Sequence, residues 1–298
     1  MYTLHIVHQE TNSRVVYQIY CPAPGLRPYV ENYWILQSVA SDDQPLNEQI
    51  FVDGKADIIF NFGVPYQRTG QNGAANSIAY SNVDAQRTYP VTIAQAGAIS
   101  LIGIRFAPGG LSHFIRMPMH ELSNHVLGLD DAFGQGGKDL EDQLYEARAD
   151  HERQIRLLDR FLMMRFDCAA EQRLLLHIAH YLRGRHGNAS VMQIGDQFGY
   201  SVRSVDRFFR RYMGLSPKWY LRSLRLQYTL KVLSDEPSIS MAELAFRAGY
   251  YDQAHFSKDF RVFTGQNPSE YRVKLFERRA TPPPNLVRFL QESPDAPA

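Results

Sequence analysis

Ile194-Gly195-Asp196-Gln197-Phe198-Gly199-Tyr200, continued by Val205, Phe209, Gly214, Pro217 and Tyr220, decides how this chain is read, because the pattern occurs twice. The second copy is Leu244-Ala245-Phe246-Arg247-Ala248-Gly249-Tyr250, continued by Phe256, Phe260, Gly265, Pro268 and Tyr271. The offset is 50 residues up to the Gly-Tyr pair and 51 beyond it, so one residue is inserted at a turn. A short helix, a turn carrying glycine and a second helix make the helix-turn-helix pattern. Two such units predict a chain that reads two stretches of DNA groove at once.

Charge separates the same region from the rest. The net charge of the 298 residues is +1. Residues 1–170 hold 13 Lys and Arg against 19 Asp and Glu, a net of −6, whereas residues 171–279 hold 18 against 10, a net of +8. A basic back half behind an acidic front predicts that only the back half meets a polyanion. A module working through protein partners alone has no need of that concentration of charge. Cys21 and Cys168 are far apart, with no zinc-ligand spacing and no disulfide framework, which fits a reducing cytosol. Met1 to Tyr20 has no basic stretch followed by an apolar run, so no signal peptide is expected, and no stretch of about 18 apolar residues predicts a membrane span.

Within the first unit, Ser201 to Tyr212 reads as a helix with Ser201 as its N-cap. Val205, Phe209 and Tyr212 face inward at helical spacing, and Arg203, Asp206, Arg207 and Arg210 share the other face. Arginine bonds the guanine edge bidentately and discriminates by roughly 1–3 kcal/mol per good pair, so Arg203 and Arg207 are candidate base readers. Asp206 either accepts from cytosine or holds Arg203 or Arg210 in place. In the second unit residues 252–263 form the matching helix, with Phe256, Phe260 and Phe263 inward. Gln253, Ala254, Ser257 and Lys258 are its candidate base contacts, and Arg261 joins Ser201, Arg210, Arg211, Lys218 and Arg222 as a candidate phosphate contact.

Pro217 to Leu233 predicts one helix between the units, capped by Ser216 and buried through Leu221, Leu224, Leu230 and Leu233. At about 1.5 Å per residue it spans roughly 25 Å. Such a rod suits two reading helices set about one DNA turn apart, about 34–36 Å.

These residues resemble the AraC/XylS family of bacterial transcription regulators. The segment Ala248-Gly249-Tyr250-Tyr251-Asp252-Gln253-Ala254-His255-Phe256-Ser257-Lys258-Asp259-Phe260-Arg261, with Thr264-Gly265 and Asn267-Pro268-Ser269-Glu270-Tyr271-Arg272, looks like the family signature over its whole length. The first unit and Arg225-Leu226 match as well. The resemblance covers about residues 170–279. It implies a seven-helix domain that binds a double-stranded operator and regulates transcription, often as an activator touching RNA polymerase.

Ahead of it, residues 1–107 read as strands punctuated by Gly and Pro: Val15 to Tyr20, Tyr33 to Leu36, Ala56 to Phe62, Val91 to Ala94 and Ile99 to Phe106. Gln67 to Asn82 reads as a loop. The stretches Phe51 to Gly63 and Gly103 to Gly110 look like an uncharacterised sensor-type domain found ahead of such DNA-binding domains. Residues 108–169 read as helices, the longest over Asp139 to Phe166 with a break near Asp150. Its stripe of Leu140, Leu144, Ile155, Leu158, Phe161 and Leu162 suits either a core or a dimer seam. Thr281 onward is a Pro-rich tail; the 280–298 segment is expected to be flexible.

The expected fold is therefore α+β in two domains: a cupin-like antiparallel sheet or barrel with following helices, then an all-α double helix-turn-helix. The expected function is a cytoplasmic regulator, homodimeric and modulated by a small-molecule effector in the front domain. Tyr33, Trp34, Asp57 and Arg105 either line its pocket or act as core and sheet pairs. Neither a cofactor nor a metal is expected. The ten histidines include no H-x-H followed by Glu, and there is no G-x-S-x-G or phosphate-binding glycine loop, so an enzyme fused to the DNA-binding part is the disfavoured alternative.

Overall fold

The computed structural model describes the backbone of residues 6–11, 15–38 and 46–280, and the side chains of 16–38 and 47–275. The described residues of the front half begin with strands β1 (Ile6–Thr11), β2 (Val15–Tyr20), β3 (Val30–Ser38), β4 (Leu46–Ile50), β5 (Asp57–Asn61), β6 (Tyr66–Thr69), β7 (Ala75–Ile78), β8 (Asn82–Asp84), β9 (Val91–Gln95) and β10 (Ser100–Phe106). The one-turn helix α1 (Met119–Leu122), strand β11 (Val126–Gly128) and helices α2 (Leu129–Phe133), α3 (Gln135–Glu146) and α4 (His151–Arg165) follow.

The strands form two antiparallel sheets, ordered β1-β2-β3-β10-β5-β8-β11 and β4-β9-β6-β7. Strand β10 is central to the larger one. Its Gly103 pairs with Trp34 of β3 on one side and Ile59 of β5 on the other. The Trp34 indole lies over Gly103 where any Cβ would stand, so only glycine fits there.

Two expectations are corrected. Residues 66–69 and 75–78 pair as a hairpin, so the Gly- and Asn-rich stretch is not simply a loop. Strand β7 is an edge with Ala75 to Ser77 exposed, and it needs no apolar side chains to hold its backbone pairing. The segment after residue 107 is also not purely helical, because β11 joins the larger sheet beside β8.

The break in the long helical region falls at residues 147–150, where Asp150 accepts from the Arg153 N–H to cap α4. Leu140, Leu144, Ile155, Leu158, Phe161 and Leu162 are all buried, in one core with Tyr33, Ile35, Ile58, Phe60, Ile102 and Ile104. Of the two uses open to that stripe, core packing is the one adopted. The Pro-rich tail from Thr281 lies outside the described residues.

The C-terminal half is helical: α5 (Ala170–Gly184), α6 (Val191–Phe198), α7 (Val202–Phe208), α8 (Pro217–Asp235), α9 (Met241–Arg247), α10 (Gln253–Thr264) and α11 (Pro268–Ala280), seven helices among the described residues. Ser190, Ser201, Ser216, Ser240 and Asp252 each cap the helix that follows by accepting a backbone N–H. The residues just past α7 differ from the α-helical expectation, because Phe209–Met213 is a π-helical turn before Gly214.

Two apolar cores lie along α8. Tyr220, Leu221 and Leu224 join Leu182, Ile194, Val205 and Phe209 around the first unit. Leu226, Leu230 and Leu233 join Leu244, Phe256, Phe260 and Phe263 around the second. The helix therefore buries successive stretches against different partners. Phe51 and Val52, from the loop between β4 and β5, also belong to the second core.

Candidate nucleic-acid interface

Helices α7 and α10 are built alike. Ser201 and Asp252, 51 residues apart, accept from the N–H groups of Ser204 and His255. Val205 and Phe209 face inward in the first, Phe256 and Phe260 in the second, and all four are buried. The outward faces start with Arg203 and Arg207 in the first and with Ala254 and Lys258 in the second, and all four are exposed. Apolar residues fix one face in each unit and the caps fix where each helix begins. The exposed residues follow by helical phase.

The side chains on these faces differ in freedom. Arg203, Lys258, Arg261 and Lys218 are exposed and make no hydrogen bond or ion pair with any described residue. The Arg207 guanidinium lies 5.3 Å from the centre of the Phe208 ring. Arg211 lies over Tyr212 at 5.5 Å. Asp206 is tied to Arg210, Oδ2 to Nε at 2.7 Å. Of the roles open to Asp206, holding Arg210 is the one seen. Both groups are largely exposed, so the pair orients more than it stabilises.

Arg222 does not stand free for a phosphate. Its Nε and Nη2 donate to Asp259 Oδ2 and Oδ1 at 2.9 and 2.7 Å, and its guanidinium lies 4.5 Å from the Trp219 ring centre. The pair ties α8 to α10 across the second core. Helical spacing within α8 holds no trace of a partner 37 residues away.

Around α10 the structure gathers residues that the repeat pattern left out. A groove of about 550 Å³ is lined by Gln253, Ser257, Lys258 and Arg261, together with Met241 at the start of α9 and Ser269 at the start of α11. Tyr251, just ahead of the Asp252 cap, is 96% exposed. The only sequence signals for these additions are the helix starts at Ser240 and Pro268.

The four front-domain candidates occupy the core. Tyr33 is fully buried and donates its hydroxyl to Asp159 Oδ1 at 2.8 Å. The Trp34 indole N–H donates to Asp57 Oδ1 at 3.3 Å. Arg105, 1% exposed, pairs with Asp57 at 3.1 Å and with Asp53. Burial works to raise the Asp53 pKa, but Arg105, Lys55 and Arg87 outweigh it and hold the carboxyl below its ordinary value. Burial wins at Asp57, whose pKa is raised despite Arg105. All four are buried, and none of them faces solvent.

Known proteins match two separate parts of the chain. Residues 18–128 match a domain of unknown function (DUF6597), and residues 194–274 match a helix-turn-helix domain. The second match spans both units. By it residues 194–274 form a helix-turn-helix domain, over the stretch that resembles the AraC/XylS family. An HTH-type transcriptional activator RhaS from Escherichia fergusonii is 34% identical over 99 residues, which is 33% of this chain and 35% of that protein. RhaS from Escherichia coli is 34% identical over 79 residues, 26% of this chain and 28% of that protein. The chain thus spans about a third of the length of the curated relatives it matches. Among solved structures, ToxT from Vibrio cholerae is similar over 77% of this chain and 97% of its own, at 10% identity and a TM-score of 0.43. An AraC-type regulator from Chromobacterium violaceum is similar over 39% of this chain and all of its own, at 28% identity and a TM-score of 0.33. Among the described residues, no helix is long and apolar enough to cross a membrane.

Proposed function

We propose that the chain is a sequence-specific DNA-binding transcription regulator whose α7 and α10 enter successive major-groove segments of one operator. The observation that carries the reading is the repeated construction of those helices. Each has a capped start, a buried apolar face and an exposed outer face, which carries Arg203 and Arg207 in one and Gln253, Ala254, Ser257 and Lys258 in the other. Arg203 and Arg207 suit guanine edges, Gln253 suits adenine, and Ala254 suits a thymine methyl. Lys218, Arg211 and Arg261 neutralise phosphates, and Arg210, held by Asp206, sits beside them. Transcriptional output follows through RNA polymerase, as the family implies, and the chain performs no chemistry of its own.

The test is selection of duplexes from a random pool by the full chain, followed by affinity measured against salt. Affinity for the selected duplexes should fall steeply as salt rises, and should exceed that for scrambled duplexes by roughly 10³-fold or more. Flat salt dependence or equal affinity for scrambled DNA would sink the reading.

A small-molecule effector acting through the front domain belongs to the same proposal. Its support is a buried charged network of Asp53, Asp57, Asp84, Arg68, Arg87 and Arg105. The Nε atoms of all three arginines have no hydrogen-bond partner among the described residues, so the network keeps donors suited to a polar ligand. A thermal shift of the full chain in a screen of polar metabolites tests it; no shift that depends on Arg87 or Arg105 would count against it.

A further inference from the structure

Gly214 and Gly265 hold equivalent places in the two repeats, 51 residues apart. Each is the left-handed residue, at φ +78° and +72°, that ends the reading segment of its unit. The front half of the chain reaches both. At the first, Ser123 Oγ donates to the Gly214 carbonyl at 2.7 Å. The Gln86 amide, which donates to Ser123 Oγ and to the Met119 carbonyl at 2.9 Å each, fills the space where a Cβ of residue 214 would stand. At the second, the Gln266 amide donates to Gln49 Oε1, and Gln49 and Pro90 lie in van der Waals contact with the Cβ position of residue 265.

A third attachment lies along the rod between them. The loop from β4 to β5 sends Phe51 and Val52 into the second core, with the Phe51 ring 5.7 Å from that of Tyr271. The Val52 carbonyl accepts from Gln227 of α8 at 3.0 Å. Gly54, two residues on, rests against Tyr220 and Leu215 of the first unit. Within four residues, 51–54, this one loop therefore touches both units and the helix that joins them.

We propose that the front domain is a brace that sets the distance and angle between the two reading helices, so that the full chain accepts a two-segment DNA site at one spacing. This rests on α7 and α10 being the helices that read DNA. A support attached to one unit would move with that unit and leave the spacing free. A support attached to the C-terminal end of each reading segment and to the rod between them removes the relative bend. Gln49, Phe51, Gln86 and Ser123 are then positioning residues for recognition, although none of them contributes to the exposed faces of α7 and α10.

The test uses the full chain and a duplex selected from a random pool, together with versions in which one or two base pairs are inserted between the two protected segments. One inserted pair turns the second segment by roughly 35° about the axis. The wild-type chain should lose about 30-fold in affinity on a single insertion, comparable to a mismatch in the site. The double variant Gln49→Ala/Ser123→Ala should bind the original duplex within about threefold of wild type, yet lose no more than about threefold on insertion. Phe51→Ala is the second variant, and a cooperative thermal melt confirms that each is folded. An insertion penalty absent in wild type, or unchanged in both folded variants, overturns the brace. Tighter binding by the variants at every spacing also overturns it, since the contacts would then hold the helices away from DNA. If the wild-type chain selects no duplex at all, the DNA reading fails first and the brace with it.

Discussion

The Arg222 guanidinium and the Asp259 carboxylate face each other through two parallel hydrogen bonds, at 2.9 and 2.7 Å, joining the rod α8 to α10. Asp259 is buried, and Arg222 is covered on its faces by Trp219 and Phe263. Removing the arginine leaves a buried carboxylate without its cation. Arg222→Ala should lower stability by about 3 kcal/mol, read as a fall in the denaturant midpoint. The salt slope of DNA binding by the folded fraction should stay as in wild type. A slope reduced by about one would restore Arg222 as a phosphate contact.

Lys218 has the opposite profile. It is exposed in the first turn of α8 and unpaired among the described residues. Lys218→Ala should leave the melting temperature unchanged, weaken binding to all duplexes alike and flatten the salt slope by about one charge. Competition titrations at several salt concentrations decide this, and a loss confined to one sequence would contradict a phosphate role.

Arg203→Ala and Arg207→Ala should each remove about 1–3 kcal/mol of discrimination at one base pair, with stability preserved because both side chains are exposed. Repeating the duplex selection with each variant should show a relaxed preference at a single position. An unaltered consensus from both variants would remove them from the reading face.

Gly214 and Gly265 have the same backbone conformation and different surroundings. Alanine at either should cost about 1 kcal/mol for the left-handed backbone. At 214 the methyl group would also meet the Gln86 amide and the Ser123 hydroxyl, whereas at 265 the nearest atom is 3.5 Å away. Gly214→Ala should therefore lower the thermal midpoint clearly more than Gly265→Ala, and equal losses would deny the tight contact at 214.

Burial lowers the His113 pKa from its ordinary 6.5, although a hydrogen bond to the Asp167 carbonyl and the nearby Asp167 charge act the other way. Its Nδ1–H donates to that carbonyl at 3.0 Å, and Nε2 is buried with no partner. A proton added to Nε2 would have no acceptor. The folded state thus binds fewer protons than the unfolded one below about pH 6.5, and stability is lost as pH falls from there toward the folded-state pKa. His113→Phe keeps a ring stacked on Phe166 and should make the melting temperature less pH-dependent in that window. The same acid slope in both proteins would discount His113.

Much of the C-terminal domain was legible because its determinants are local and repeated. Serine and aspartate caps, left-handed glycines and aromatic residues at helical spacing each act within one or two turns, and their recurrence at a fixed offset separates them from coincidence. The strands of the front sheet were legible where β-branched and apolar residues cluster. The hairpin at 66–78 was not, because an exposed edge strand is held by backbone bonds that its Gly, Asn and Ser residues do not advertise.

The amino-acid order by itself determined where α7 and α10 start, which face of each is buried and which side chains remain outside, since those follow from caps and periodicity within about a dozen residues. Only the tertiary structure decided which charged groups stay free. Arg222 finds Asp259 across 37 residues, Arg105 finds Asp53 and Asp57 across about 50, and Phe51 reaches a core built mainly from residues beyond 226. Such partners are set by how elements pack in space, and spacing along the chain does not encode it.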